Sequence, residues 1–194
     1  MVAGSIRREM RLLLAGAVLS ALPAHAGADS GARDEIHYAP KENLELVDVR
    51  VIGEAELLID MAAYVLSDTR VIEALTAAAE RDVAVRIYFD KSQFSQHGLR
   101  VDAPIEALLA HPNVAAKVKA EGVLMHLKAY VVDGRLLRTG SGNFSRPGLA
   151  EQDNDLVLIA DPVAIDAFER DFEAIWSRAR NIDALDTPEQ AARP

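Results

Sequence analysis

Residues 57–89 read strand, helix, strand, and this unit limits the possible folds more than any other stretch. LLIDMAAYV (57–65) is a near-continuous apolar run with the length of a buried strand. Ser67 or Asp68 then stands where a helix cap belongs, and Val71, Ile72, Leu75, Ala78 and Ala79 recur at helical spacing up to Arg81-Asp82. VAVRIYF (83–89) alternates as a second strand. Such a unit buries a sheet beneath a helix.

The same rhythm continues on both sides. Ile36–Ala39 reads as a short edge strand, and Leu44, Val47, Val51 and Ile52 as a helix ending at Gly53. After a loop from Asp90 to Arg100 come a short helix at Pro104–Leu109 and a strand at Val114–Val118. Leu156–Ile159 is the last strand, and Pro162–Arg178 is an amphipathic helix with Ile165, Phe168, Phe172, Ile175 and Trp176 on one face. Strands alternating with helices predict an α/β fold in one domain: a mixed, mainly parallel sheet flanked by helices on both faces. With 194 residues, half of them apolar, the chain can bury one core.

The N-terminus reads differently. Arg7, Arg8 and Arg11 precede an apolar run from Leu12 to Leu22 and then Pro23-Ala24-His25-Ala26. These are the parts of a secretory signal peptide over residues 1–26, cleaved after Ala26, with Met10 as an alternative start. The run is short for a membrane span, so no stable transmembrane segment is expected. The expected organisation is a signal peptide (1–26), a flexible leader (27–35), the folded domain (36–180) and a flexible tail (181–194). A periplasmic or secreted location follows from it.

There is no cysteine, which excludes disulfides, thiolate metal sites and cysteine nucleophiles. Losing residues 1–26 removes three arginines and one glutamate and takes the net charge from −9 to −11. A surface this acidic repels polyanions at long range, so nucleic-acid binding would need a local basic patch.

Reactive side chains gather in one place, MHLKAYVVDGRLLRTGSGNFS (125–145). His126 and Lys128 are two apart, on one face of an extended strand that also presents Tyr130, while Leu127, Ala129 and Val131 take the other face. Asp133-Gly134 is a two-residue hairpin turn signal. The return strand, Arg135–Arg138, brings Gly140, Ser141 and Asn143 back to the level of His126, where backbone N–H groups, a hydroxyl and an amide suit a phosphate. Arg135, Arg138 and Arg146 could hold flanking phosphates or simply balance the acidic surface. A lone histidine on a strand is more often a packing or surface residue, as His37 and His97 are read to be.

His126-x-Lys128-x4-Asp133-x6-Gly140-Ser141-x-Asn143 resembles the HKD signature of the phospholipase D superfamily. The strand-helix-strand unit and the segment Leu156–Trp176 look like those of its small secreted bacterial endonucleases, and the single motif is also like that of mitochondrial cardiolipin hydrolases. The resemblance implies the phospholipase D/nuclease fold. It implies a metal-independent phosphodiesterase with no cofactor, acting through a phosphohistidine on His126, assisted by Lys128, Ser141 and Asn143. Larger members carry two motifs; this chain has one, so the resemblance implies a homodimer with a shared active site. The resemblance implies a residue that orients His126, usually Glu in the family, at the place where this sequence has Asn154 or Asp155, and Asp133 is read as shaping the turn. The substrate is expected to be DNA or RNA, cut with little sequence preference. A phospholipid is the alternative, and a non-catalytic phosphodiester-binding protein the third possibility.

Overall fold

The computed structural model describes residues 34–92 and 103–184. The expected signal peptide, most of the leader, His97 and the end of the tail lie outside the described residues. Eight strands form one sheet: β1 (Glu35–Ala39), β2 (Leu58–Ala63), β3 (Ala84–Asp90), β4 (Val114–Lys119), β5 (Lys128–Val132), β6 (Leu136–Thr139), β7 (Asn154–Ile159) and β8 (Ile182–Asp183). Their order is β1-β7-β6-β5-β2-β3-β4-β8.

The sheet is mixed, but the expected parallel majority is absent. Only β2–β3 and β3–β4 are parallel, and the other five pairings are antiparallel. Parallel neighbours need a crossover, which here comes from α2 (Thr69–Glu80) and from the connection containing α3 (Ala103–Leu109). The antiparallel pairs are the β5–β6 hairpin, β5 against β2 in the middle of the sheet, β7 against β6, and the edge strands β1 and β8 against β7 and β4.

Helices cover both faces, as the alternating patterns predict. α1 (Leu44–Gly53), α2 and α3 bury Leu44, Ile52, Leu75 and Leu108 against Ile59, Met61, Ile87, Phe89 and Tyr130 of the sheet. α4 (Pro162–Trp176) covers the other face, with Ile165, Phe172 and Ile175 against Ala62, Tyr88, Ala129 and Val131. Odd and even positions of β2, β3 and β5 thus serve opposite cores. Asp68 caps α2, its Oδ1 accepting from the N–H groups of Arg70 and Val71 at 3.1 Å each. The tail expectation is corrected at its start: Ile182-Asp183 pairs with β4 and Ala184 is fully buried, so the fold reaches beyond residue 180.

The C-terminal ends of β2, β3 and β4 and the N-terminal end of β5 lie at one end of the sheet, because β5 runs antiparallel to β2 with Lys128 opposite Ala63. Tyr64, Asp90, Lys119 and Lys128 therefore share that end.

Candidate active site

The hairpin turns as its sequence demands. Asp133 (φ 53°) and Gly134 (φ 62°) both take positive φ, and the Arg135 N–H donates to Val132 O at 2.9 Å. The Asp133 side chain, 1% exposed, accepts from the N–H groups of Glu56, Leu57 and Leu58 at 3.0, 2.7 and 2.9 Å and from Arg135 at 2.8 Å. Burial works to raise its pKa, but the N–H groups of Leu58, Leu57 and Glu56 outweigh it and hold the carboxyl below the usual range. Asp133 thus ties the end of β5 to the start of β2, at the far end of β5 from Lys128.

Arg138, opposite Tyr130 on β6, is fully buried and pairs with the equally buried Asp48 of α1 through Nε (2.9 Å) and Nη2 (3.0 Å). Its Nη1 donates to Lys128 O at 2.9 Å and to Gly142 O at 3.4 Å, and the Tyr130 hydroxyl donates to Asp48 at 3.0 Å. One guanidinium thereby joins the start of β5 to the Gly-Ser-x-Asn loop. This overturns both readings of Arg138, as a ligand for a flanking phosphate or as a balance to the acidic surface, since no solvent reaches it. Arg135 is committed to the turn at the far end, and Arg146 pairs with Glu151 at 3.1 Å.

His126 precedes β5 instead of opening it, and its side chain is exposed. The imidazole meets the Tyr64 ring edge-on, with centroids 4.5 Å apart, and among the described residues its nitrogens have no hydrogen-bond partner. Lys128 is 7% exposed; its Nζ lies 4.9 Å from the same Tyr64 ring and donates to the His126 carbonyl at 2.8 Å. Histidine and lysine therefore share the Tyr64 side, as their spacing predicts. Burial pushes the Lys128 pKa down.

Two neighbours were missed by sequence reasoning. Tyr64 follows the last residue of β2 and reaches His126 only through the β2–β5 pairing. Asp90, 1% exposed at the end of β3, accepts from the Met125 N–H at 2.6 Å and from Ser92 N and Oγ at 3.0 and 2.8 Å. It thereby holds the peptide immediately before His126. Apart from its place at the end of a strand, nothing in the sequence marks it.

The Gly-Ser-x-Asn loop packs on the start of β7. Gly140 has φ 142°, and a Cβ there would stand 2.4 Å from Asp155 O, so only glycine fits. The Asp155 carboxylate accepts from the Ser141 hydroxyl and from Ser141 N (3.1 Å), while Asp155 N donates to Ser141 Oγ at 2.9 Å. The Ser141 hydroxyl is the main cause of its lowered pKa. Asn154 donates to Gly148 O at 2.9 Å and Gln152 Oε1 at 3.3 Å. Neither residue hydrogen-bonds His126, so the expected orienting contact is replaced by one that braces Ser141. The buried Oδ1 of Asn143 has no partner among the described residues. Phe144 O accepts from Ser67 N (2.8 Å) and Asp68 N (3.0 Å), bringing this loop against the segment that follows Tyr64.

The other described histidines are engaged elsewhere. His37 lies between Glu42 (2.8 Å) and Glu35 (3.0 Å), and His111 Nδ1 accepts from Asn113 N at 3.2 Å.

The family model described as "Cardiolipin synthase, PLD-like domain" matches residues 49–176, a stretch that holds the hairpin, the loop and both parallel pairings. The chain belongs to the phospholipase D superfamily. It is 24% identical to the mitochondrial cardiolipin hydrolase of Chlamydomonas reinhardtii, over 87% of this chain and 84% of that protein. It is 29% identical to a phospholipase D of Rickettsia prowazekii, over 64% and 58%. It spans 58% of the cardiolipin hydrolase of Xenopus laevis. In fold it resembles Nuc, a phospholipase D family member of Salmonella typhimurium, with a TM-score of 0.67 and 24% identity over 78% of this chain and 97% of that one. NucT from Helicobacter pylori follows at TM-score 0.65 and 18% identity, over 74% and 95%. Membership brings phosphodiester chemistry as the general expectation, and the curated relatives that the chain matches carry the names cardiolipin hydrolase and phospholipase D. No helix among the described residues is long and apolar enough to cross a membrane.

Proposed function

We propose that the chain is a metal-independent phosphodiesterase, most readily a nonspecific nuclease, that works through a phosphohistidine on His126 in a homodimer with a shared site. The observation that carries this is the exposed His126 imidazole, free of hydrogen bonds among the described residues and set beside the largely buried Lys128 ammonium. An imidazole can act as nucleophile or as acid near neutral pH.

In the first step the His126 nitrogen attacks phosphorus, a P–N bond forms and the P–O bond to the leaving group breaks. The partner's His126, protonated, gives that oxygen its proton. It then takes a proton from water, the water oxygen attacks phosphorus, and the P–N bond breaks. Lys128 and Asn143 stabilise the charge on the phosphoryl oxygens, while Ser141, expected to share that role, gives both its N–H and its hydroxyl to Asp155 and holds the loop instead. Asp155, Gly140 and Asn154 support the loop that presents Asn143, and Asp133 sets the hairpin.

A second reading, lipid phosphodiester hydrolysis, draws on Val123 and Leu124, 85% and 54% exposed just before His126. We assign residues 1–26 as a signal peptide, to be checked by N-terminal sequencing of the mature protein.

Purified protein incubated in EDTA with plasmid DNA, RNA and phospholipid vesicles, alongside His126→Ala, tests the proposal. Cleavage by wild type alone is expected. Activity that vanishes in EDTA and returns with a divalent ion would refute the metal-independent mechanism. Turnover by a stable monomer in solution would refute the shared site, and no turnover on any substrate would favour a binding protein.

A further inference from the structure

A groove of about 400 Å³ opens between the loop that follows β4 and the loop that follows α4. Lys119, Arg178 and Arg180 line it, against a single carboxylate, Glu121. In a chain of net charge −9, this concentrates positive charge where the sequence as a whole disfavours a polyanion. Two of the cations are held in place: Lys119 donates to the Val123 carbonyl, and Arg180 pairs with Glu121 while remaining 81% exposed. Asn181 anchors the far wall, with Nδ2 donating to Ile175 O and Trp176 O at 2.8 and 2.9 Å and Oδ1 accepting from the Tyr88 hydroxyl at 2.8 Å.

The groove lies at the same end of the sheet as His126, and the segment that leaves Lys119 is the one that delivers His126. β4 stands three strand positions from β5, roughly 14 Å at ordinary strand spacing. One phosphodiester with its two ester groups does not span that distance; a strand of a few nucleotides does. We infer that this groove is a subsite for a flanking phosphate of single-stranded nucleic acid, seated when the scissile phosphate is at His126. The inference rests on the phosphodiesterase reading in its nuclease form, with a polymeric substrate.

The test compares wild type with Arg178→Gln/Arg180→Gln in EDTA, on bis(4-nitrophenyl) phosphate and on single-stranded oligonucleotides of about two, four and eight nucleotides. Wild-type KM should fall with length. The double variant should lose that dependence, with KM on the longest substrate raised about tenfold and turnover of the small diester unchanged. Its salt dependence should be shallower by about 0.7 in log–log slope, the share of one phosphate contact on a single strand. Binding of a labelled octamer to His126→Ala, with and without the two arginine changes, reads the same loss without turnover.

Equal KM values for variant and wild type would overturn the subsite, as would wild-type turnover of the small diester with no length dependence. In a parallel binding assay on anionic phospholipid vesicles, a loss by the double variant confined to the vesicles would also overturn it by assigning the groove to lipid headgroups. A wild type inactive on both the small diester and the oligonucleotides would instead refute the nuclease reading beneath it, which separates the two failures.

Discussion

The two ends of β5 carry residues of one motif and differ in almost every physical respect. At one end Asp133 is 1% exposed and its carboxylate is saturated by three backbone N–H groups and Arg135. At the other, His126 is exposed and its ring has no hydrogen-bond partner among the described residues. Saturated polar groups hold a fold, whereas an unsatisfied group beside a fixed cation is available for chemistry. A shared motif therefore says nothing about a shared role.

If the ends are separable, substitution at the open end should remove activity and leave stability alone. His126→Ala should lower diester hydrolysis by at least about 10³-fold, the scale of losing a nucleophile. Its unfolding free energy should stay within about 0.5 kcal/mol of wild type, the range of ordinary surface changes. A large loss of stability would mean that the open end is also structural.

Between the ends sits Arg138, and it should show the opposite behaviour. Arg138→Leu leaves the Asp48 carboxylate buried and unpaired and should cost about 3–5 kcal/mol in denaturant unfolding. It also frees the Lys128 and Gly142 carbonyls from their common donor, so any folded fraction should turn over slowly. Wild-type stability in this variant would remove the pair from the frame of the site.

Much of this contrast is legible in the residues themselves. Period-two alternation assigns Ala129 and Val131 to one core and Tyr130 to the other, and Asp133-Gly134 announces its turn. What is not legible depends on register between distant segments. Arg138 reads as a surface cation because arginine is seldom fully buried, and its partner lies 90 positions away. Tyr64 and Asp90 sit at strand ends that only the sheet order brings together. The direction of the strands is equally hidden, since alternation is the same for parallel and antiparallel neighbours. β8 is two residues long, too short for any pattern.

The closed end has a pH signature in the acid range. Because Asp133 has a folded pKa below its unfolded value of about 3.9, its contribution is fully present above that value and is lost as pH falls through the folded pKa. Asp133→Ala should destabilise by about 2 kcal/mol at neutral pH, and the gap from wild type should close on acidification below about pH 4. A gap independent of pH would show that packing, not the charged carboxylate, holds the turn.

The smallest effect tests whether the open end is held from behind. The Asp90 carboxylate receives three donors, two from Ser92 and one from the Met125 N–H at 2.6 Å. Asp90→Asn keeps the volume but offers one acceptor oxygen, and its amide hydrogens face donors. The peptide before His126 should loosen by a fraction of an ångström. Misplacing a nucleophile costs rate more than binding, so kcat should fall about tenfold with KM nearly unchanged. Asp90→Glu should not rescue it, since the longer side chain displaces the same N–H. Equal changes in kcat and KM would instead mark Asp90 as part of the substrate-binding surface, and His126 would then be positioned by Tyr64 and the strand alone.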